Sequence, residues 1–331
     1  MNPEHAPLSA RSGESVTPWC RATHERSRGA RWGTTTLQRM PPRSRRHTSA
    51  TAAVLGAAVL FGTTGTVLVN APTGANAFSV GSVRLLIGAA SLLVAAWARC
   101  GRMWLTPWKL PTTALGALGV ADFQLCYFLA VERTGVAVGT VATIGSGPVS
   151  AGILHALLDR RPPPTRWLLG TAVSITGVAL LGLAGRASAV DPLGIVFAVL
   201  AGLGWAVFAS VGKHQIDGGS DSTATMAAMF GGGAVLLAPL LLTHSPSWAL
   251  EPGGLVVALY LGVITVGVAY TLYGIALRHL PAPTVITLTL LEPITAAVLG
   301  ALVVHEGIRT AGWVGIALVL VGLVLTATVA E

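Results

Sequence analysis

Charge is scarce in this sequence: Asp, Glu, Lys and Arg make up only 10% of 331 residues, whereas 53% are hydrophobic. A soluble chain carries about a quarter of its residues as charge, so a soluble α/β protein is excluded at the outset. Cysteine is equally scarce. Cys20, Cys100 and Cys126 form neither an even-numbered disulfide framework nor a metal-ligand spacing, and no metal is expected. Catalytic signatures are missing too. There is no His-Glu-x-x-His, no Gly-x-Ser-x-Gly, no pair of aspartates at helical spacing within a span and no Walker loop. His305-Glu306 lacks the second histidine that a zinc helix needs. These absences argue against an enzyme, against primary ATP-driven transport by this chain alone, and against any cofactor. No connecting loop exceeds about a dozen residues, which disfavours the competing reading of a receptor or scaffold with a soluble domain.

What is present points to a bilayer. Glycine is abundant, at 40 residues, and small residues let transmembrane helices approach closely where lipid removes the hydrophobic driving force. The formal net charge of +8 does not imply a nucleic-acid partner, because the basic residues sit in an N-terminal tail and in short loops, as membrane insertion requires. Residues 1–50 contain nine arginines and no apolar run of eight. They lack the core of a signal peptide and read as a disordered basic cytoplasmic tail. Met40, followed by Pro-Pro-Arg-Ser-Arg-Arg, is an alternative start that would leave a short leader before the first span.

From Thr51 onward, apolar stretches recur at about 51–70, 78–98, 111–131, 136–158, 167–185, 193–213, 222–243, 254–276, 283–304 and 310–329. Each is long enough to cross about 30 Å of hydrocarbon. Pro, Gly and charge collect in the breaks, the weakest being Glu132-Arg133-Thr134. With both termini on one side, the inner segments hold 17 Lys and Arg against three outside, Arg133, Arg186 and Arg309. The positive-inside rule then places both ends in the cytoplasm.

The chain repeats itself. Leu115-Gly116 matches Leu261-Gly262 and Tyr127…Ala130 matches Tyr273…Ala276 at an offset of 146. After a one-residue slip, Pro148 matches Pro293, Gly170 matches Gly315 and Gly177 matches Gly322 at 145. The expectation is an all-α integral membrane protein of about ten transmembrane helices in two inverted five-helix repeats, residues 51–190 and 191–331. An odd number of spans per half turns the second half over, and inverted repeats place a substrate site near the bilayer midplane where the halves meet.

Three stretches carry a family resemblance: Ala269-Tyr270-Thr271-Leu272-Tyr273 with Ala276-Leu277-Arg278; Leu291-Glu292-Pro293-Ile294-Thr295-Ala296-Ala297 with His305-Glu306; and Gly312-Trp313…Gly315…Gly322. In order and spacing they resemble the EamA-type carriers of the drug/metabolite transporter superfamily over about residues 51–329. The resemblance implies a carrier of the cytoplasmic membrane, often an exporter of amino acids or related metabolites. Arg84, in Val83-Arg84-Leu85-Leu86, fits the family's usual arginine. Leu60-Phe61-Gly62 departs from it, standing where many relatives have Trp-Gly.

Ionisable groups in hydrocarbon are costly and are functional candidates by default. Glu292 lies deep in the ninth span, followed by Pro293, which removes a backbone donor and is expected to free the carbonyl of Thr289. Asp122 lies mid-way along the third span, with Gln124 turned to another side. Arg84 is expected to attract a substrate carboxylate, to snorkel to the interface or to pair with Asp122. Trp205, Tyr270 and Tyr273 are candidate aromatic walls, and Pro148 and Pro293 are candidate helix breaks. Trp97, Trp104, Trp108, Trp167 and Trp248 read as interfacial belt anchors. The expected function is secondary transport of a small metabolite by alternating access, probable direction outward, with protons and the lipid bilayer as further partners. Small-residue faces suit intrachain and interchain packing alike, so a homodimer stays open.

Overall fold

The computed structural model describes residues 43–100, 110–160, 162–183, 191–303 and 310–327. The described residues form ten helices. These are α1 (Arg43–Leu68), α2 (Ala77–Cys100), α3 (Leu110–Gly135), α4 (Val138–Leu158) and α5 (Thr165–Leu183) in the first half. The second half holds α6 (Pro192–Asp217), α7 (Ser222–Thr243), α8 (Pro252–Leu277), α9 (Ala282–Val303) and α10 (Thr310–Ala327). All but α5 are long and apolar enough to cross a membrane by the described residues alone. Helix α5 has 19 residues, about 28 Å at 1.5 Å per residue.

Most of the tail, Met40, Trp104, Trp108, Arg186, His305, Glu306 and Arg309 lie outside the described residues. Helix α1 starts at Arg43, so residues 43–50, expected in the tail, are already helical. Pro41-Pro42 stand just before it, and no breaker follows until Gly56, so the helix extends beyond its apolar run.

The weakest expected boundary is a tight reversal. The chain turns at Gly135, with φ 80° and ψ 162°, a conformation that L side chains avoid. Two aspartates start helices on the second half: Asp191 accepts from the Leu193 N–H and Asp221 from the N–H groups of Thr223 and Ala224. Arg133 pairs with Asp191 at 3.3 Å, tying the α3–α4 turn to the start of α6.

The proline expectations need correction. Pro148 does not break α4, which stays helical through it. Proline removes only the donor to the carbonyl four residues back, and a neighbouring side chain, Ser146, bonds the carbonyls of Thr143 and Ala198 and ties the helix to α6. Pro293 does mark an irregularity, but Thr289–Leu291 tightens into a 3₁₀ turn, in which the Glu292 N–H donates to the Thr289 carbonyl. That carbonyl is therefore engaged rather than free. Residues Tyr260–Val268 of α8 form a π-helix, which no feature of the apolar run announced.

The packing has a two-fold pattern. A Cβ at Gly170 would meet the Gly322 carbonyl at 2.8 Å, and one at Gly177 would meet the Gly315 carbonyl at 2.6 Å. The repeat glycines thus pack crosswise, each on the mate of the other, and rising numbers in α5 meet falling numbers in α10. The two helices run antiparallel, as inversion of the halves demands. Gly88 of α2 lies against Gly262 of α8, and Gly233 of α7 against Ala117 and Val120 of α3. Helix α1 packs on α8 and α9 through Gly56 and Gly62, while α6 packs on α3 and α4 through Gly204 and Gly202. Each contact has its counterpart in the other half.

Two of the expected belt tryptophans are buried instead. Trp97 is 62% exposed, as a belt residue should be, but Trp248 is 1% and Trp167 3% exposed. The segment before α8 folds inward, and the Trp248 indole N–H donates to Ser79 Oγ at 3.0 Å, within an apolar cluster of Val80, Val83, Val257 and Leu261. Trp248→Phe removes that donor and is expected to cost about 1–3 kcal/mol, seen as a lower unfolding midpoint in detergent with helix content unchanged.

Candidate functional site

The first cleft-lining charge comes from α2. Arg84 stands seven residues after Ala77, about 10 Å along the helix. Glu292 stands ten residues after Ala282 on α9, about 15 Å along, near the middle of the span. Both side chains are partly buried, and each acts electrostatically on the other and on Tyr127 and Tyr270. Four helices, α2, α3, α8 and α9, therefore deliver a cation, two phenols and a carboxylate to one region. Two of those helices come from each half.

These charges face each other without closing. Among the described residues, no N–O approach within 4.0 Å joins Arg84 to Glu292 or to Asp122. The Arg84 Nε is buried and has no hydrogen-bond partner among them. Burial of an unpaired charge is costly, and Arg84 and Glu292 share one region of the bundle without a direct ion pair between them.

Aromatic rings wall the cleft. Phe61 of α1 lies 5.0 Å from Tyr270, centre to centre, and Phe230 of α7 lies 4.1 Å from the same ring. Phe61 thus supplies an aromatic contact although the tryptophan of many relatives is absent. Trp205 donates its indole N–H to the Tyr273 hydroxyl at 3.2 Å. Phe208 packs beside both tyrosines. Trp205, Tyr270 and Tyr273 come together as the sequence suggests, with Tyr270 nearest the charges and Tyr273 on the packed side. Tyr273→Phe removes the acceptor of Trp205 and is expected to lower stability by about 1–2 kcal/mol, with the midpoint of unfolding as the measurement. Gly62 keeps the wall thin, since a Cβ there would meet the Glu292 carbonyl at 2.7 Å.

Asp122 stands apart. It accepts from the Cys126 thiol at 3.2 Å, and its other oxygen lies against Gly204 at the α3–α6 crossing. Gln124, 5% exposed, is turned into the bundle. No ion pair joins Arg84 and Asp122 among the described residues. The carboxylate that shares the field of Arg84 is Glu292.

Tyr127 was missed as a site residue. It bonds Thr140 across the α3–α4 hairpin at 3.1 Å and shares the field of both charges. Its signal was the repeat itself, because Tyr127 is the mate of Tyr273. Thr63 and Tyr260, bonded at 3.1 Å, join α1 to the π-helical stretch and had no signal of comparable strength.

Comparison with known proteins comes to the same region of fold space. The model described as the EamA-like transporter family matches residues 48–183 and again 192–328. The uncharacterized transporter YwfM of Bacillus subtilis is 37% identical over 272 residues, which cover 82% of this chain and 91% of that protein. The threonine/homoserine exporter RhtA of Salmonella typhimurium is 29% identical over 203 residues, 60% of this chain and 64% of its own length. A protein of known crystal structure superposes with a TM-score of 0.74 over 86% of this chain and 98% of its own, at 18% identity.

Proposed function

Since the chain belongs to the EamA-like transporter family, embedded in the membrane as two repeats of its helices, we propose that it exports a small zwitterionic metabolite, an amino acid or close relative, by alternating access. One observation carries this reading: Arg84 and Glu292 act on each other electrostatically inside the bundle without forming an ion pair, and the Arg84 Nε is buried without a partner among the described residues. A substrate carboxylate satisfies the guanidinium, and a substrate ammonium satisfies the carboxylate. Tyr270 and its aromatic neighbours cover the apolar part of the ligand. The relative named as a threonine/homoserine exporter supports the substrate class and the outward direction.

Each half contributes two of the four helices that bear the site, so rocking one half against the other opens the cleft to each side in turn. Without substrate, Glu292 can take a proton in place of the ammonium, which makes exchange of metabolite for protons the natural coupling. The membrane is the cytoplasmic one, with both termini inside, by the charge asymmetry of the loops.

The test is flux in proteoliposomes loaded with single amino acids, including threonine and homoserine. Saturable flux of at least one neutral amino acid, reduced in Arg84→Gln, is the expected result. Absence of flux for every small solute tried counts against carriage, and flux indifferent to Arg84→Gln counts against the zwitterion site.

A further inference from the structure

A crevice lies on the α4–α5 side of the bundle, away from Arg84 and Glu292. Helices α4 and α5 leave a crevice of about 540 Å³ between them, within the range of about 300–1,000 Å³ typical of ligand sites. Val149, Ile153, Ala156, Pro163 and Ile175 line it. Its rim is open sideways, with Ile153 57% and Leu168 49% exposed. Its floor is shut: the edge of the Trp167 ring lies against Gly152, and the Thr171 hydroxyl is bonded to Thr287 of α9 at 3.2 Å. The crevice therefore faces the bilayer and does not lead into the cleft.

The charge at its mouth defines the occupant. Pro163 of the lining is flanked three residues away on each side by Arg160 and Arg166, both exposed, and neither makes an ion pair with a described residue. A basic rim over an apolar slot between transmembrane helices matches an anionic head group over an acyl chain. The Trp167 indole N–H, buried in the wall, has no acceptor among the described residues. An ester oxygen near the glycerol of a seated lipid is the kind of group that would supply one after a small tilt of the ring.

We propose that the α4–α5 crevice holds one acyl chain of an anionic membrane phospholipid, whose phosphate is bound by Arg160 and Arg166. Occupancy would brace α5, and through Thr171–Thr287 the helix that carries Glu292.

Native mass spectrometry of the delipidated full chain, titrated with dioleoyl phosphatidylglycerol or dioleoyl phosphatidylcholine, tests this. The chain is expected to retain one phosphatidylglycerol saturably and phosphatidylcholine far more weakly. The Arg160→Gln/Arg166→Gln double variant is expected to bind phosphatidylglycerol about thirtyfold more weakly, as loss of two interfacial cations implies. Ala156→Phe fills the slot and is expected to abolish retention of both lipids. Equal retention of the two lipids by the unmodified chain overturns the proposal. So does phosphatidylglycerol binding unchanged in the double arginine variant, whose substitutions are exposed and leave the core intact. Loss in the arginine variant with full binding by folded Ala156→Phe leaves only a surface phosphate patch, and also overturns it.

Discussion

Glu292→Gln is expected to cut substrate flux severely and to flatten its dependence on pH while leaving a folded, monodisperse protein. Glutamine keeps the shape of the side chain and loses its charge. The substrate ammonium then has no counter-charge, and Arg84 is left in the cleft without the carboxylate that shares its field. Removing one member of a desolvated charge pair costs about 2–5 kcal/mol, which corresponds to a fall in flux of at least about thirtyfold. The linkage adds a sign. If Glu292 takes the exchanged proton, activity of the unmodified protein varies with pH, and the variant shows residual flux with a flat profile. Residual flux that keeps the original pH profile removes Glu292 from proton coupling. Flux in proteoliposomes across a pH series reads both quantities at once.

Gly177→Leu is expected to be the most damaging single change away from the cleft. At that position a Cβ would already lie 2.6 Å from the Gly315 carbonyl and 2.7 Å from the Val319 nitrogen. Both are backbone atoms, so neither can rotate away, and α5 and α10 must separate. Overpacking of this kind costs about 1–3 kcal/mol and more where the neighbours cannot move. Adding Gly170→Leu, which meets the Gly322 carbonyl, is expected to deepen the loss until folded protein is no longer recovered from the membrane. Gly65→Ala, where nothing lies within 4 Å, is the control and is expected to be neutral. The readout is the yield of monodisperse protein in detergent and its unfolding midpoint. A Gly177→Leu midpoint equal to that of Gly65→Ala would show that the α5–α10 crossing is loose.

The repeat was readable because it is written in glycines and prolines, whose spacing survives when apolar residues interchange. The glycines of the two matches meet crosswise in the structure, Gly170 against Gly322 and Gly177 against Gly315, each packed on the other half's equivalent helix. Span positions were readable for a similarly robust reason, since hydrocarbon thickness fixes helix length. Helix interiors were less so. The π-helical stretch Tyr260–Val268 and the 3₁₀ turn at Thr289–Leu291 change hydrogen-bond partners without changing composition, and apolar runs carry no trace of them. Trp167 and Trp248 show the same limit. Nearness to a span end suggested the interface, but whether the ring turns outward depends on a neighbouring glycine, Gly152, or on a hydroxyl from another helix, Ser79.

At the site, the charges were found by their cost and their company by the fold. Arg84 and Glu292 are 208 positions apart in the chain, and no local pattern links them. Asp122, equal to Glu292 as an isolated carboxylate in an apolar run, is distinguished by its neighbours, Cys126 one turn along its own helix and Gly204 of the helix opposite. Tyr127 was visible only through its mate Tyr273.

Alternating exposure of the cleft is the claim on which the rest depends, and a cysteine beside Glu292 reports it most directly. Thr295→Cys, in a background with Cys20, Cys100 and Cys126 replaced by Ser, places a small thiol where α9 meets Gly62 of α1. In oriented vesicles a membrane-impermeant maleimide is expected to modify it from either side, and a transported amino acid is expected to slow both reactions. Modification from one side only, under every substrate and pH condition, would contradict a cleft that opens in turn to the two faces of the membrane.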